Sequence, residues 1–268
     1  MRHGRPEALL AIDIGNTNVT FGWFKGARLR RRWRLPTETG LAAAGGCARA
    51  LARIVRDCRR GGAGRIDVVM GSVVPALSPV FRKALGRMGL RVLEITPRSP
   101  LGMRIRVDIP SQVGADRLLN ALAVHDLYGG PAVVVDFGTA TTFDCVSKSG
   151  DYLGGAILPG PLLAAKALAL HTAKLPEVRV AKPRRVVGKN TVECIQAGLY
   201  HGYLGMIERV LRGTVSEMAG PSSGRHRIRL VATGGLVRLF LPDLPKAFQW
   251  VPDLTLQGLR VAFERRRK

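Results

Sequence analysis

Negative charge is what this chain has least of: 19 Asp and Glu stand against 42 Lys and Arg, a formal net charge of +23 at pH 7. Such a field attracts phosphorylated small molecules, nucleic acid or anionic lipid, and does not by itself choose among them. Long apolar runs are also missing. No stretch of about 18 uninterrupted apolar residues exists to span a bilayer. The apolar run that follows Arg2 and Arg5 is ended by Asp13, short of the ~7 to 15 residues of a secretory signal core. A cytoplasmic protein with no membrane partner is expected. Cys47, Cys58, Cys145 and Cys194 form no C-x-x-C pair, so neither a zinc site nor a redox pair is suggested. His3, His125, His171, His201 and His226 show no ligand spacing, and none is assigned a catalytic part.

What is present is a globular composition, 46% hydrophobic and 23% charged, in 268 residues. That length accommodates one large domain or two ordinary ones. The basic residues run through the whole chain, with clusters at "RLRRRWR" (Arg28 to Arg34), "KPRR" (Lys182 to Arg185) and "ERRRK" at the end. No helix-turn-helix, zinc module or aromatic-basic repeat accompanies them, so nucleic-acid binding stays open but secondary.

An internal echo organises the chain. "ALLAIDIGNTNVTFGWF" and "AVVVDFGTATTFDCV" each read as a short apolar strand, then Asp-x-Gly with polar residues, then a second strand rich in β-branched and aromatic residues. Asp13 and Asp136 lie about half a chain apart, which argues for two similar lobes, each opening with a β-hairpin. "IDVVMGSVV" (66–74) and "LRVLEIT" (90–96) read as further strands of mixed α/β lobes. Gly129, Gly130 and Pro131 mark the boundary, giving lobes 1–129 and 130–268.

An Asp at the end of a buried strand costs desolvation energy unless it is paired or bound to a cation. Gly15 lets a phosphate approach the main chain, and Asn16, Thr17 and Asn18 add amide and hydroxyl groups, a combination suited to a Mg-nucleotide triphosphate. The bland alternative is an Asx-turn in which Asp13 bonds its own loop. Two copies at matching positions favour the phosphate reading. Other nucleotide motifs fail. "VVGKNT" resembles the end of a Walker A loop, but its first glycine falls on Pro183 and its hydroxyl position on Asn190, and no G-x-G-x-x-G follows a strand. In "RLVATGGLVRLF" the pair Gly234-Gly235 at a strand end would let an adenine or ribose lie against the backbone, although such a pair is commonly just a tight turn.

The two Asp-x-Gly hairpins and the late Thr-Gly-Gly resemble the sugar kinase, heat-shock ATPase and actin superfamily. Within it, "DIGNTN", "PSQVGADRLLNALA", "VVDFGTATTFD", "GGAILPGPLLAAKALALHTAKLP", "VGKNTVECIQAGLYHGYLGMIE" and "ATGGL" resemble type III pantothenate kinase, the family that includes the Bvg accessory factor proteins. These stretches keep the family order from about residue 10 to 240. The resemblance implies an α/β fold of two ribonuclease-H-like lobes with an interlobe cleft. It implies transfer of the ATP γ-phosphoryl group to the 4′-hydroxyl of pantothenate, the first step of coenzyme A synthesis. ATP, Mg²⁺ and a monovalent cation, potassium or ammonium, would be required, and a homodimer is implied.

Carried over residue by residue, Asp13, Ile14, Gly15, Asn16, Thr17, Asn18, Val19 and Thr20 would form the ATP phosphate hairpin, with Asp13 holding Mg²⁺ mostly through water. Asp136 matches the monovalent-cation ligand and Thr139 an ATP-contacting hydroxyl. Gly114, Ala115, Asp116 and Arg117 match the pantothenate site, with Asp116 as the general base and Arg117 placed to hold the substrate carboxylate. Without the resemblance, Asp116 reads as a carboxylate favoured in the first turn of a helix, and Arg117 as a surface charge. Thr191 matches a substrate contact that can be supplied across a dimer interface; on its own it reads as the N-cap of a long helix. Val107 departs from the pattern, standing where the family usually has a pocket tyrosine. Loss of one such polar contact costs about 1 kcal/mol net. Two other classes stay open: an ATP-binding regulator that lost turnover, and a basic nucleic-acid-binding protein.

Overall fold

The computed structural model describes residues 8–37, 45–219 and 227–267. Arg2, Arg5, His3, His226 and Lys268, named above, lie outside the described residues. The chain divides into two compact units, Met1–Leu127 with Leu254–Lys268, and Tyr128–Asp253.

The first unit is built on a five-stranded sheet. Its strands are β1 (Leu9–Ile14), β2 (Asn18–Lys25), β3 (Arg28–Pro36), β4 (Asp67–Ser72) and β5 (Val92–Ile95), in the order β3-β2-β1-β4-β5. β1 is antiparallel to β2 and parallel to β4. Because β1 is central and covered on both faces, Leu9 to Ile12 are all buried, which is why this stretch reads as a continuous apolar run rather than an alternating one. Helix α1 (Gly46–Arg60) buries Cys47, Leu51, Ile54, Val55 and Cys58, the i, i+4, i+7, i+8, i+11 stripe of an amphipathic helix. With α2 (Ser78–Arg87) it covers the sheet face that carries Leu10, Ile12, Phe21, Trp23 and Met70.

The opposite face is covered by α3 (Ala115–Tyr128) and α7 (Leu254–Arg266). Leu119 of α3 and Leu259 of α7 both pack over Gly71, and Leu256 packs over Gly22. The apolar residues Leu118, Leu119, Leu122 and Ala123 are buried as expected, but so are Asn120, Ala121 and Val124, so α3 is enclosed rather than one-sided. Asn120 is satisfied there by Thr255, whose hydroxyl donates to its Oδ1 at 2.8 Å. Arg260 of α7 ties α7 to α3 through Asp126 at 3.6 Å and to its own helix through Glu264 at 2.8 Å.

The expected lobe 130–268 is corrected at its end. The break falls between Leu127 and Tyr128, close to the expected position, but α7 groups with the first unit because its apolar residues find their partners on α3 and on the first sheet.

The second unit repeats the plan. Its strands are β6 (Ala132–Phe137), β7 (Ala140–Val146), β8 (Tyr152–Pro159), β9 (Arg229–Thr233) and β10 (Phe248–Trp250), in the order β10-β9-β6-β7-β8. Read from the other edge, this is the first sheet again: a three-strand antiparallel meander followed by two parallel strands on the far side of the opening strand. Helices α4 (Pro161–Leu170), α5 (Thr191–Ala219) and the short α6 (Val237–Phe240) complete it. Phe137, Tyr200, Tyr203 and Phe240 pack as an aromatic cluster with ring centroids 4.7 to 6.1 Å apart.

Gly258 sits inside α7, where Gly normally costs about 0.5–1 kcal/mol relative to Ala. Here a Cβ would run into the backbone of Leu119 on α3. Gly258→Ala is therefore expected to destabilise by about 1–3 kcal/mol, the range for overpacking. A lower urea midpoint with unchanged m-value is the expected result; a higher midpoint would contradict this helix contact.

Candidate active site

Asp13 is the fifth residue of six-residue β1, and Asp136 is the fifth of six-residue β6. Both strands show the same burial pattern, four buried residues, a half-buried aspartate, then a buried residue. The echo seen in the sequence is thus an equivalence of register. Each aspartate stands at the carboxyl end of the central strand of its sheet, the end at which α/β sheets receive ligands.

In the first hairpin the turn is closed by Gly15, whose N–H donates to Asn18 O at 3.0 Å. Thr37, just beyond β3, straps it from the side: its hydroxyl donates to Gly15 O at 2.7 Å and its N–H to Thr17 O at 2.9 Å. Asn16 and Thr17 are left exposed at the tip, while Asp13, Gly15, Asn18 and Thr20 are half-buried. Ile14 and Val19 differ from the rest of the expected ATP set. Their side chains are fully buried in the core, so they anchor the hairpin and offer a ligand only backbone.

The first unit brings Asp116 to the same end of its sheet. Val73 follows β4 and donates its N–H to Ile14 O at 3.0 Å, and a Cβ placed on Gly114 would lie 3.8 Å from Val73 Cγ1. Gly114, Asp116 and the end of β1 are therefore neighbours. A Cβ at Gly114 would also collide with Asp116 Oδ1, so the glycine makes room for the carboxylate. Asp116 Oδ1 accepts the backbone N–H of Arg117 at 2.8 Å. Burial pushes its pKa above the ordinary carboxylate value, opposed by that N–H and by the Arg117 charge. A carboxylate made more basic in a helix's first turn, beside a loop suited to phosphates, is a fitting proton acceptor. Ala115 is buried and closed to a ligand, whereas Arg117 and Val107 are half-buried.

In the second hairpin, Asp136 is in register with Thr233 of β9. The next residue, Gly234, has φ +98, and a Cβ there would strike Asp136 Oδ1 and the backbone of Phe137. Leu236 N–H then closes the turn onto Phe137 O at 3.2 Å. The Thr-Gly-Gly element was expected to give backbone room to an adenine or ribose. At Gly234 that room is filled by Asp136 and Phe137 of the same unit, a contact no local pattern announces. Thr139 is exposed at the hairpin tip, with its carbonyl accepting Gly160 N–H at 3.0 Å from the start of α4.

Thr191 is exposed and is the first residue of α5 rather than its cap. The cap is Asn190: its Oδ1 accepts Glu193 N–H at 2.9 Å, and Glu193 in return accepts Asn190 Nδ2 at 3.1 Å and Lys189 N–H at 3.0 Å. This is a capping box spelled Asn-Thr-Val-Glu, a signal that was present in the sequence. With its hydroxyl free of capping duty, Thr191 can serve a ligand.

No group of three or more His, Cys, Asp or Glu suited to a metal occurs among the described residues. A divalent ion at Asp13 would thus lack a protein cage and draw much of its coordination from water and phosphate oxygens, as Mg²⁺ commonly does in phosphoryl transfer.

Gly234→Ala imposes both a strained φ and a clash with Asp136, and is expected to cost about 1–3 kcal/mol. A fall in thermal midpoint that Asp136→Gly partly relieves is the expected double-mutant result. Strict additivity of the two changes would show that the contact between them is not the cause.

Comparison with known proteins places this geometry. The family model described as type III pantothenate kinase matches residues 9–213. A type III pantothenate kinase of Moorella thermoacetica is 44% identical over 264 residues, covering 96% of this chain and 99% of that protein. Another from Geobacter sulfurreducens is 40% identical over 266 residues, covering 97% of this chain and 100% of that protein. Among solved structures, the ethanolamine utilization protein EutJ from Carboxydothermus hydrogenoformans shares the fold with a TM-score of 0.56 at 14% identity, over 96% of this chain and 90% of that one. A fold shared at 14% identity does not fix a family, but identities of 40% and above over whole chains do: the chain belongs to the type III pantothenate kinase family.

Proposed function

We propose that the protein transfers the γ-phosphoryl group of ATP to the 4′-hydroxyl of pantothenate, with Asp116 as the general base. The observation that carries this is the setting of Asp116: a half-buried carboxylate of raised pKa, seated beside the end of β1 that carries Asp13. Asp116 accepts the proton of the 4′-hydroxyl as its oxygen attacks the γ-phosphorus, the bond to the β-phosphate oxygen breaks, and ADP leaves. Phosphoryl transfer asks for positioning and charge stabilisation more than for covalent catalysis, so a fixed base and fixed phosphate donors are the main requirements. The backbone of Gly15 to Thr20 and the side chains of Asn16, Thr17, Asn18 and Thr20 would hold the phosphates, and the Thr139 hydroxyl would contact ATP. Arg117 pairs with the substrate carboxylate. Asp13 would hold Mg²⁺ through water, and the ion would supply positive charge to offset that of the phosphates. Asp136 would hold potassium or ammonium, a cation that would supply fixed positive charge. The retention of Asp13, Asp116 and Asp136 together favours turnover over a regulator that has lost it.

The reading extends to a homodimer. Leu153, Ile157, Leu162, Leu163 and Leu170 of β8 and α4 are exposed, Ile157 at 62% and Leu170 at 77%. A cavity of about 600 Å³ lies against this face, lined by Pro159, Leu163, Ala164, Ala167 and Leu168 among others. An apolar surface of this extent is the kind a second copy covers. Thr191 would then serve the partner's pantothenate. Among the described residues no helix is long and apolar enough to cross a membrane, and a cytoplasmic location accords with the ATP supply the reaction draws on.

A coupled ADP-release assay with and without pantothenate tests the reaction. Asp116→Asn is expected to lower kcat by about 10²–10⁴-fold, the usual contribution of a positioned base. Because burial raises the Asp116 pKa, its charged form destabilises the fold at neutral pH. The same substitution should therefore raise the melting temperature at pH 7, and the difference should shrink as pH falls and Asp116 becomes protonated. The acid limb of wild-type kcat should lie above the ordinary carboxylate range. Absence of pantothenate-dependent turnover, with or without potassium, would sink the kinase assignment.

Leu163→Asp tests the dimer. Light scattering is expected to show a monomer for the variant and a dimer for the parent chain. A parent chain that is monomeric at all concentrations would remove the partner role of Thr191.

A further inference from the structure

The positive charge is not evenly laid out. Helix α1 exposes Arg49, Arg53, Arg56, Arg59 and Arg60, and Arg49, Arg53, Arg56 and Arg60 follow the i, i+4, i+7, i+11 spacing of a single ridge. The one carboxylate on this helix, Asp57, is engaged by Arg31 of β3 at 3.4 Å. β3 is an edge strand of its sheet. A register shift opposite Trp23 and Phe24 leaves Arg30, Arg31 and Arg32 exposed in succession, with the Arg31 guanidinium 5.1 Å from the Trp33 ring centroid. On α2, which lies on the same sheet face as α1, Lys83 and Arg87 are exposed, while Arg82 is held by Glu94 at 2.8 Å.

Two observations argue against this being general surface composition. The 29-residue α5 carries mixed charge, Glu193, Glu208 and Glu217 alongside Arg209 and Arg212, so single-sign helices are not the rule in this chain. Like charges at i, i+4, as at Arg49 and Arg53 and at Arg56 and Arg60, also destabilise a helix, and of the ridge only Arg60 lies in the last turn where the dipole favours a cation. The ridge opposes local helix stability. Its benefit must lie in something it meets.

We infer that the α1 ridge, with Arg30 and Arg31 at the edge of β3 and Lys83 and Arg87 of α2, binds the phosphate backbone of double-stranded nucleic acid without regard to sequence. From Arg49 to Arg60 the ridge runs about 16 Å, long enough to follow some five steps of ~3.4 Å along one strand of a duplex. Guanidinium groups match phosphate oxygens bidentately, which favours Arg over Lys for this task. The exposed residues of the ridge are charged and lack apolar or aromatic members, so base stacking on single strands has no platform and base-edge reading no instrument. The same composition argues against an anionic membrane: an interfacial helix buries its apolar face in lipid, and that of α1 is already used in the core. This surface shares no residue with the proposed kinase site, so its test and that of the kinase reading are independent.

Fluorescence anisotropy of the full chain with labelled duplexes of about 20 base pairs, in two unrelated sequences, measures the binding. Dissociation constants of about 10⁻⁴–10⁻⁶ M near physiological salt are expected, equal for the two sequences, with log K falling linearly in log salt. Arg49→Gln/Arg53→Gln/Arg56→Gln is expected to reduce the slope by roughly 0.9 for each phosphate contact removed. Arg30→Gln/Lys83→Gln should reduce it by a smaller amount, and this variant keeps the test open should the first fail to fold. The control Arg209→Gln/Arg212→Gln/Lys246→Gln, which removes equal charge from exposed positions of the second unit, should leave the slope unchanged. Pantothenate-dependent turnover should be unaltered in all three. Equal loss in the α1 and control variants, no binding at low salt, or binding to anionic phospholipid vesicles in place of duplex would each overturn the proposal.

Discussion

A carboxylate at the end of a fully buried strand is the constraint on which both units turn. Four consecutive buried residues precede Asp13 in β1 and Asp136 in β6, so neither side chain can retreat into water along its own strand. Each therefore needs room beside it from the neighbouring parallel strand. In the first unit that neighbour is Gly71, in register with Asp13; in the second it is Gly234, directly after Thr233, the register partner of Asp136. A larger residue at Gly71 would meet Leu119 and Leu259, and one at Gly234 would meet Asp136 itself. The glycines are set by packing against the carboxylate or its supporting helices. The site is thus a consequence of how each sheet ends, and the helices are placed to hold that end in position.

The duplication explains why the two ends look alike, and the differences show where they diverge in role. In the first hairpin Asp13 faces Thr20 across the strands, and in the second Asp136 faces Thr142, one residue fewer around the turn. The shorter connection makes the second loop a glycine-led tip fastened by Gly160 at the start of α4. The first is a three-residue connection, Gly15 to Thr17, fastened by Thr37. The first unit also gains α3, whose opening turn carries Asp116 to the shared end of the sheet. Most of helix α3, Leu118 to Val124, is buried because α7 returns from the end of the chain to cover it.

This return is what the sequence could not convey. The strands were legible because a central buried strand is an unbroken apolar run closed by Asp-x-Gly, and because two such runs occur at matching positions. Helix α5 was legible from its length and period. The allegiance of α7 was not, since it depends on Leu254, Leu256 and Leu259 meeting a sheet and a helix far away in sequence. The cap of α5 was readable but misplaced by one residue: Asn190 and Glu193 form the box, while the more familiar cap residue Thr191 stands beside them. Gly234 illustrates a deeper limit. A Gly-Gly pair after a strand reports that something approaches the backbone closely, and cannot report whether that something is a ligand or a neighbouring side chain. The edge strand β3 was visible only as a run of arginines, because the bulge at Arg30 breaks the alternation by which strands are recognised.

A chain of charge +23 might be thought to hold every carboxylate ionised, yet Asp116 moves the other way. Exposed arginines act through water and salt, and beyond a Debye length of about 8 Å at physiological ionic strength their effect is largely screened. Desolvation acts at the group itself. Arg117, adjacent in sequence, supplies both a backbone N–H and a nearby charge, and these pull the pKa down without overcoming burial. The outcome is a carboxylate whose proton affinity is set by a few neighbours rather than by the field of the whole protein. That field acts elsewhere, on encounter: ATP and pantothenate are both anions, and a net positive surface raises the rate at which they arrive. The arrival of anions and the proton affinity of Asp116 are thereby governed by separate features of one sequence, the first diffuse and salt-sensitive, the second local and fixed by the burial of Asp116.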